Sequence, residues 1–267
     1  MKHYKYLPDF WGALFIIGLL LALEIVIAAA FYDAGVAFAY GDPRASVIAV
    51  LANGVIFTVL MHLSGLTYGE FFHPSSSSIS SMAGVLFVPV LVAIVPALWW
   101  LADFAAFVAS LFPQDDSDLR MFDLLMNSGL ATLVAICLVA PFLEEMLFRG
   151  IILRGFLAHY PPNTAIILSA LLFGISHLNI YQIPGAILIG CFLGWLFYRT
   201  KSLWPCIIAH AAYNFGAFLL YQGVQQDQYN HFLVDVLAFA ISGLGIWSIH
   251  AMLRRTATAD EPGERRL

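Results

Sequence analysis

Long apolar runs separated by short polar punctuation dominate the chain. A helix needs about 20 apolar residues to cross a hydrocarbon core about 30 Å thick. Runs of that kind fall at 10–32, 45–66, 83–111, 124–148, 164–180, 184–199, 203–222 and 232–253. The fourth continues as an amphipathic stretch to about His159, the sixth is short, and the third is long enough to tilt or break at Pro89 or Pro96. Turn chemistry lies between them: Gly41-Asp42-Pro43, His73-Pro74 with a serine run to Ser81, Pro113-Gln-Asp-Asp116, Pro161-Pro162-Asn163 and Ile183-Pro184-Gly185. Segment 67–81 reads as a short interfacial helix followed by a serine-rich loop. The pattern predicts an all-α fold, a polytopic membrane bundle of about eight helices. It forms a single transmembrane domain over 1–255, with a polar tail at 256–267 expected to be disordered. No internal repeat emerges, which weighs against an inverted-repeat transporter.

Composition sharpens this picture. Hydrophobic residues make up 61% of the chain and charged ones only 11%, against about 25% charged in soluble domains. The net charge of −5 says less than where the charges sit. With eight spans and the N-terminus inside, one face receives Lys2, Lys5, Arg154, Arg199, Lys201, Arg254, Arg255, Arg265 and Arg266. The other keeps Arg44 and Arg120 beside Asp115, Asp116, Asp118 and Asp123. This asymmetry predicts both termini in the cytoplasm, in what is expected to be a bacterial inner (plasma) membrane. Lys2 and Lys5 precede a long apolar run without a small-residue cleavage site, so the first run reads as a membrane helix. No basic patch suits a nucleic acid. Cys137, Cys191 and Cys206 lie irregularly within apolar runs and read as small buried hydrophobes.

Against that background, ionisable groups at membrane depth stand out, each costing about 2.5–3.5 kcal/mol on insertion scales. Glu144 and Glu145 occupy the apolar run Pro141–Arg149, and Arg149 sits four residues after Glu145, on one helical face with it. Glu144 points about 100° away. His177 lies in the fifth run, with Phe173 one turn before it, and His210 and Asn214 are four apart in the seventh. At 1.5 Å per residue, Glu144 lies roughly 15 Å from Arg154, and His210 roughly 14 Å and Asn214 roughly 20 Å beyond Lys201. His177 lies roughly 21 Å beyond Asn163 on the same scale. Three helices therefore carry an acid pair, two imidazoles and an amide to similar depths. Glu24, Asp103 and Asp235, each isolated, read as structural or water-facing. His62, His159, His231 and His250 near segment ends read as interfacial. H-E-x-x-H, a membrane aspartyl motif and a rhomboid-like serine site are all absent.

Glu144-Glu145-x-x-x-Arg149, Phe173-x-x-x-His177 and His210-x-x-x-Asn214, in this order on successive apolar segments, resemble the signature of the CAAX prenyl endopeptidase and bacteriocin-processing (CPBP, or Abi) family. The resemblance covers roughly 120–222, with no departure at the motif positions. It implies an eight-helix intramembrane glutamate endopeptidase with a cavity open to the cytoplasm, acting on a membrane-associated peptide or protein. Carried over, Glu144 is the general base, His177 its partner in activating water, and His210 and Asn214 stabilise the oxyanion. Glu145 and Arg149 then hold the motif helix. No cofactor is expected. Zinc is the weaker alternative, because one carboxylate and two histidines on three helices lack the close spacing that presets such sites. Two rivals stay open: a non-enzymatic immunity or partner-binding membrane protein, and a proton-coupled transporter carrying protons on the acid pair.

Overall fold

A computed structural model describes residues 7–38, 42–73, 79–112, 129–223 and 232–259, together with Arg120. The basic residues Lys2, Lys5, Arg265 and Arg266, the acidic group between residues 115 and 123, His231, the serines at 75–78 and residues 124–128 lie outside the described residues.

All regular structure among the described residues is helical: α1 (Phe10–Asp33), α2 (Ser46–Ser64), α3 (Tyr68–Phe72), α4 (Ile79–Ser110), α5 (Leu130–His159), α6 (Pro162–Ile175), α7 (Ile183–Thr200), α8 (Leu203–Gly223) and α9 (Phe232–Ala259). Several boundaries have a local cause. Asp9 caps α1 through the Gly12 amide. Gly65, at φ +67°, ends α2 in the left-handed region that a side chain disfavours. The short helix expected after residue 67 is α3, opened by a capping box in which Thr67 and Glu70 exchange hydrogen bonds. α4 begins earlier than the apolar pattern suggested and runs unbroken through Pro89 and Pro96. Proline is tolerated there because neighbouring helices hold a membrane helix in place. At its C-terminal end α9 continues to Ala259, past the predicted start of the polar tail.

Among the described residues, seven helices are long and apolar enough to cross a membrane, and α6 is the shorter exception. Its 14 residues rise about 21 Å, short of the ~30 Å core. The apolar pattern carried this segment to residue 180, but the helix stops at Ile175 because His177 interferes with it. A continuing helix would give the Phe173 carbonyl to the His177 amide. The His177 ring takes that carbonyl instead, Nδ1 donating at 2.9 Å, and the amide turns back to Gly174. Leu178 then adopts φ +52°, and Asn179 closes the turn by accepting from the Tyr181 amide.

α6 and α7 pack closely. An added Cβ at Gly190 would sit 3.1–3.2 Å from Phe173 and Ala170, and one at Gly194 would sit 3.2 Å from Ile166. Gly190-x-x-x-Gly194 is thus a small-residue seam of the kind that lets membrane helices approach. α3 is stapled to the same core. Arg154 donates to the Glu70 and Phe71 carbonyls at 3.2 and 2.8 Å, and the Phe71 ring lies against Gly150. Phe72 stacks between Phe142 of α5 and Trp204 of α8, with centroids 5.6 and 5.4 Å away.

The start of α1 and the His250 stretch of α9 lie toward the Arg154 end of the bundle. Pro8 meets Gly155, the Phe10 amide donates to Tyr160 Oη at 3.2 Å, and His250 of α9 lies beside Trp195 of α7. Lys201 ends α7 there at φ +52°. Burial, then the nearby Arg154 and Arg199 charges, push its ammonium below the ordinary lysine value.

Candidate active site

α5 is not a plain α-helix where it carries the acids. It widens into π-helical turns over Ala135–Val139 and Met146–Leu153, flanking the α-helical stretch Ala140–Glu145. Such bulges inside helices occur frequently at functional sites. Glu145 and Arg149 face the same side, as their spacing predicts, and meet at 2.7 Å (Nη1 to Oε1) with both side chains almost wholly inaccessible. Arg149 also donates to the Gly190 carbonyl at 3.0 Å. Its guanidinium lies 4.7 Å over the Phe173 ring, a cation–π contact.

His210 of α8 joins the pair. Its Nδ1 is 2.8 Å from the same Glu145 oxygen that Arg149 uses. A carboxylate only accepts, so Nδ1 carries the proton and Nε2 is left for other work. That nitrogen lies 3.7 Å from Glu144 Oε2, too long for a direct hydrogen bond and close enough for one water to bond to both at a bent angle. Glu144 is the accessible acid of the two, its side chain 32% exposed against 0% for Glu145. The offset of about 100° between the two acids thus agrees with their unequal burial, although one imidazole approaches both.

His177 follows the same design. With Nδ1 donating to the Phe173 carbonyl, its Nε2 is the remaining polar atom of the ring. Both imidazoles meet the Phe173 ring edge-on, at 4.9 Å for His177 and 5.5 Å for His210. Phe173 therefore touches three polar groups of the cluster. Asn214 lies one turn beyond His210, and its amide nitrogen donates to the Ile136 carbonyl at 2.9 Å. The second N–H on that nitrogen is not used by this bond.

Glu144, Glu145, Arg149 and His210 form one chain of contacts, His177 meets it through the Phe173 ring, and Asn214 is tied separately to the Ile136 carbonyl of α5. His210 is the imidazole that lies within 4 Å of Glu144 among the described residues; His177 is linked to the cluster through Phe173. Sequence reasoning missed the Gly190 carbonyl, the Ile136 carbonyl and the α3 brace. The Gly190-x-x-x-Gly194 spacing was a readable signal for the first, but main-chain acceptors leave no trace in residue identity. Among the described residues no group of three His, Cys, Asp or Glu side chains is disposed to hold a metal ion.

The cluster sets an accessible carboxylate near an imidazole, with an amide donor one turn further along α8, within an apolar bundle. These are the parts needed to add water to a carbonyl. No curated protein and no solved structure matches the chain. A protein-family model does match, over the part that carries the cluster, and it describes a protease family. Residues 126–216 match the type II CAAX prenyl endopeptidase Rce1-like family, which supports the CPBP resemblance drawn from the three motifs.

Proposed function

We propose that the protein is an intramembrane endopeptidase of the glutamate type, hydrolysing a peptide bond in a membrane-associated peptide or protein without a metal. The observation that carries this reading is the chain Arg149–Glu145–His210–Glu144, which ends on an accessible carboxylate 3.7 Å from an imidazole nitrogen. Arg149 neutralises Glu145, Glu145 fixes the His210 tautomer, and Glu144 is left to react.

In this reading a water sits between Glu144 Oε2 and His210 Nε2. Glu144 takes its proton as the hydroxide oxygen bonds to the substrate carbonyl carbon, and the carbonyl electron pair moves onto oxygen. The second Asn214 N–H faces the resulting oxyanion, a contribution of about 2.7–4 kcal/mol for a well-placed donor. The C–N bond then breaks, and Glu144 returns the proton to the leaving amine. The products are a carboxylate and an amine. His177, with Nε2 unspent, is assigned as the second imidazole partner of Glu144.

The turn that carries His177 adds support. Non-helical backbone at membrane depth is tolerated where it is buried in protein or lines a wet cavity. The gathering of Pro8 and His250 with Arg154, Arg199 and Lys201 supports a cytoplasmic location for that face and both termini, in a plasma or bacterial inner membrane. The test is cleavage by protein reconstituted in liposomes. A farnesylated CAAX-type peptide and a solubilised membrane-protein mixture are offered, and new termini are read by mass spectrometry. New termini with the wild type that vanish with Glu144→Gln establish the endopeptidase. Identical termini with both proteins remove Glu144 from the mechanism. A cellular phenotype unchanged by Glu144→Gln, with no cleavage by either protein, establishes the partner-binding alternative.

A further inference from the structure

We infer that Pro141 is a positioning residue for Asn214, acting through the Ile136 carbonyl; the inference rests on the hydrolytic reading of the site. The argument follows the hydrogen-bond register of α5. Through the first wide turn the Ala140 amide donates to the Ala135 carbonyl, five residues back. In that register the next donor is residue 141 and its acceptor is Ile136. Residue 141 is proline, with no N–H to give. Meanwhile the donor that would serve Ile136 in an ordinary α-helix, the Ala140 amide, is already engaged one residue earlier. The widened turn and the proline together leave the Ile136 carbonyl without a main-chain partner.

An unpaired carbonyl inside a membrane bundle is costly. Asn214 fills the gap from α8, its amide nitrogen 2.9 Å from the Ile136 oxygen. The consequence is orientational. A carbonyl only accepts, so the nitrogen end of the Asn214 amide is held at α5 and the flipped arrangement is excluded. The same nitrogen keeps its other hydrogen for a second acceptor, one turn from His210. Were Ile136 satisfied by its own helix, nothing in this contact would decide which way the amide faced. Pro141 is thus a device for aiming a donor on another helix, four residues before Glu145 and three before Glu144.

A double-mutant cycle tests this. Pro141→Ala restores an N–H at the position where Ile136 lacks one, and Pro141→Val does so with a side chain of more similar bulk, in case alanine leaves a damaging gap. The first measurement is thermal unfolding of the full chain in detergent. Asn214→Ala is expected to lower the apparent Tm by roughly 2–4 °C when Pro141 is present, a single buried hydrogen bond's worth. In the Pro141→Ala or Pro141→Val background the same change should cost little, because Ile136 then has a main-chain donor. Equal shifts with and without the proline overturn the inference, whatever the protein's activity.

The second measurement is cleavage of the substrate found in the liposome assay. Pro141→Ala is expected to lower kcat by roughly tenfold or more with KM little changed, and to alter the residual rate of Asn214→Ala by no more than about twofold. Multiplicative losses overturn it, since a merely structural proline would act independently of Asn214. The thermal cycle needs no substrate, so its failure is distinguishable from failure of the hydrolase reading, which Glu144→Gln reports.

Discussion

Replacing Arg149 with methionine removes one charge from the least accessible ion pair among the described residues. The lost partners can be read directly. Glu145 Oε1 loses a donor at 2.7 Å, the Gly190 carbonyl loses one at 3.0 Å, and Phe173 loses a guanidinium 4.7 Å from its centroid. Pairwise values of about 1.5–3 kcal/mol for the charge-assisted bond and about 2 kcal/mol for a desolvated cation–π contact would overshoot if summed. The relevant quantity is the cost of leaving Glu145 charged and buried without its counter-ion, about 3–5 kcal/mol. At about 2–4 °C per kcal/mol, the apparent Tm of the solubilised protein should fall on the order of 10 °C. The companion variant carries Glu145→Leu and Arg149→Met together. It leaves no orphaned charge, so most of the lost Tm should return, because replacing a whole buried pair by apolar groups is often neutral. Cleavage should not return, since His210 Nδ1 has lost its acceptor. Differential scanning fluorimetry and the liposome assay read the two outcomes separately. A single variant that unfolds within about 2 °C of wild type, or a double variant no more stable than the single, would refute the account of this pair.

Glu144→Gln keeps the shape and removes the base, so cleavage should disappear with the apparent Tm essentially unmoved; a melting shift like that of Arg149→Met would mark Glu144 as structural. His210→Ala should reduce the rate by about 10²–10⁴, and His177→Ala by a similar factor if it acts on the same proton; activity within about threefold of wild type would remove either ring from the chemistry. Gly150→Ala should be destabilising by about 1–3 kcal/mol, because its Cβ would enter the Phe71 ring. Gly243→Ala, whose Cβ meets nothing within 4 Å, should be neutral or stabilising by up to about 1 kcal/mol, and equal melting shifts for the two would contradict the packing of α3.

Apolar run length alone located every long helix among the described residues, because a membrane solvent leaves the backbone few alternatives to helix formation. Periodicity also paired Glu145 with Arg149 correctly, since both lie on one helix and the geometry is local. It failed at His177. Nothing in Ile175-Ser176-His177 reads as a helix terminator; the ring of His177 competes for a carbonyl, and such a contest is settled by tertiary context. It was silent on which imidazole approaches Glu144, because the relative rotation of α6 and α8 depends on packing at Gly190 and Phe173. Nor could it see that Asn214 is tethered. That contact depends on the register of a widened turn in α5, and residue types 135–139 (Ala, Ile, Cys, Leu and Val) give no hint of it.

The shortness of α6 has a consequence for the lipid around the protein. Ile167, Leu171 and Ile175, spaced four apart, form an exposed apolar stripe along its outer side, a face suited to acyl chains. They find a greasy wall about 21 Å tall where a full leaflet pair expects about 30 Å. Mismatch of that size is relieved by local compression of the bilayer. Compression of that kind would draw headgroups and their water toward the ends of α6, one of which is followed by the turn bearing His177.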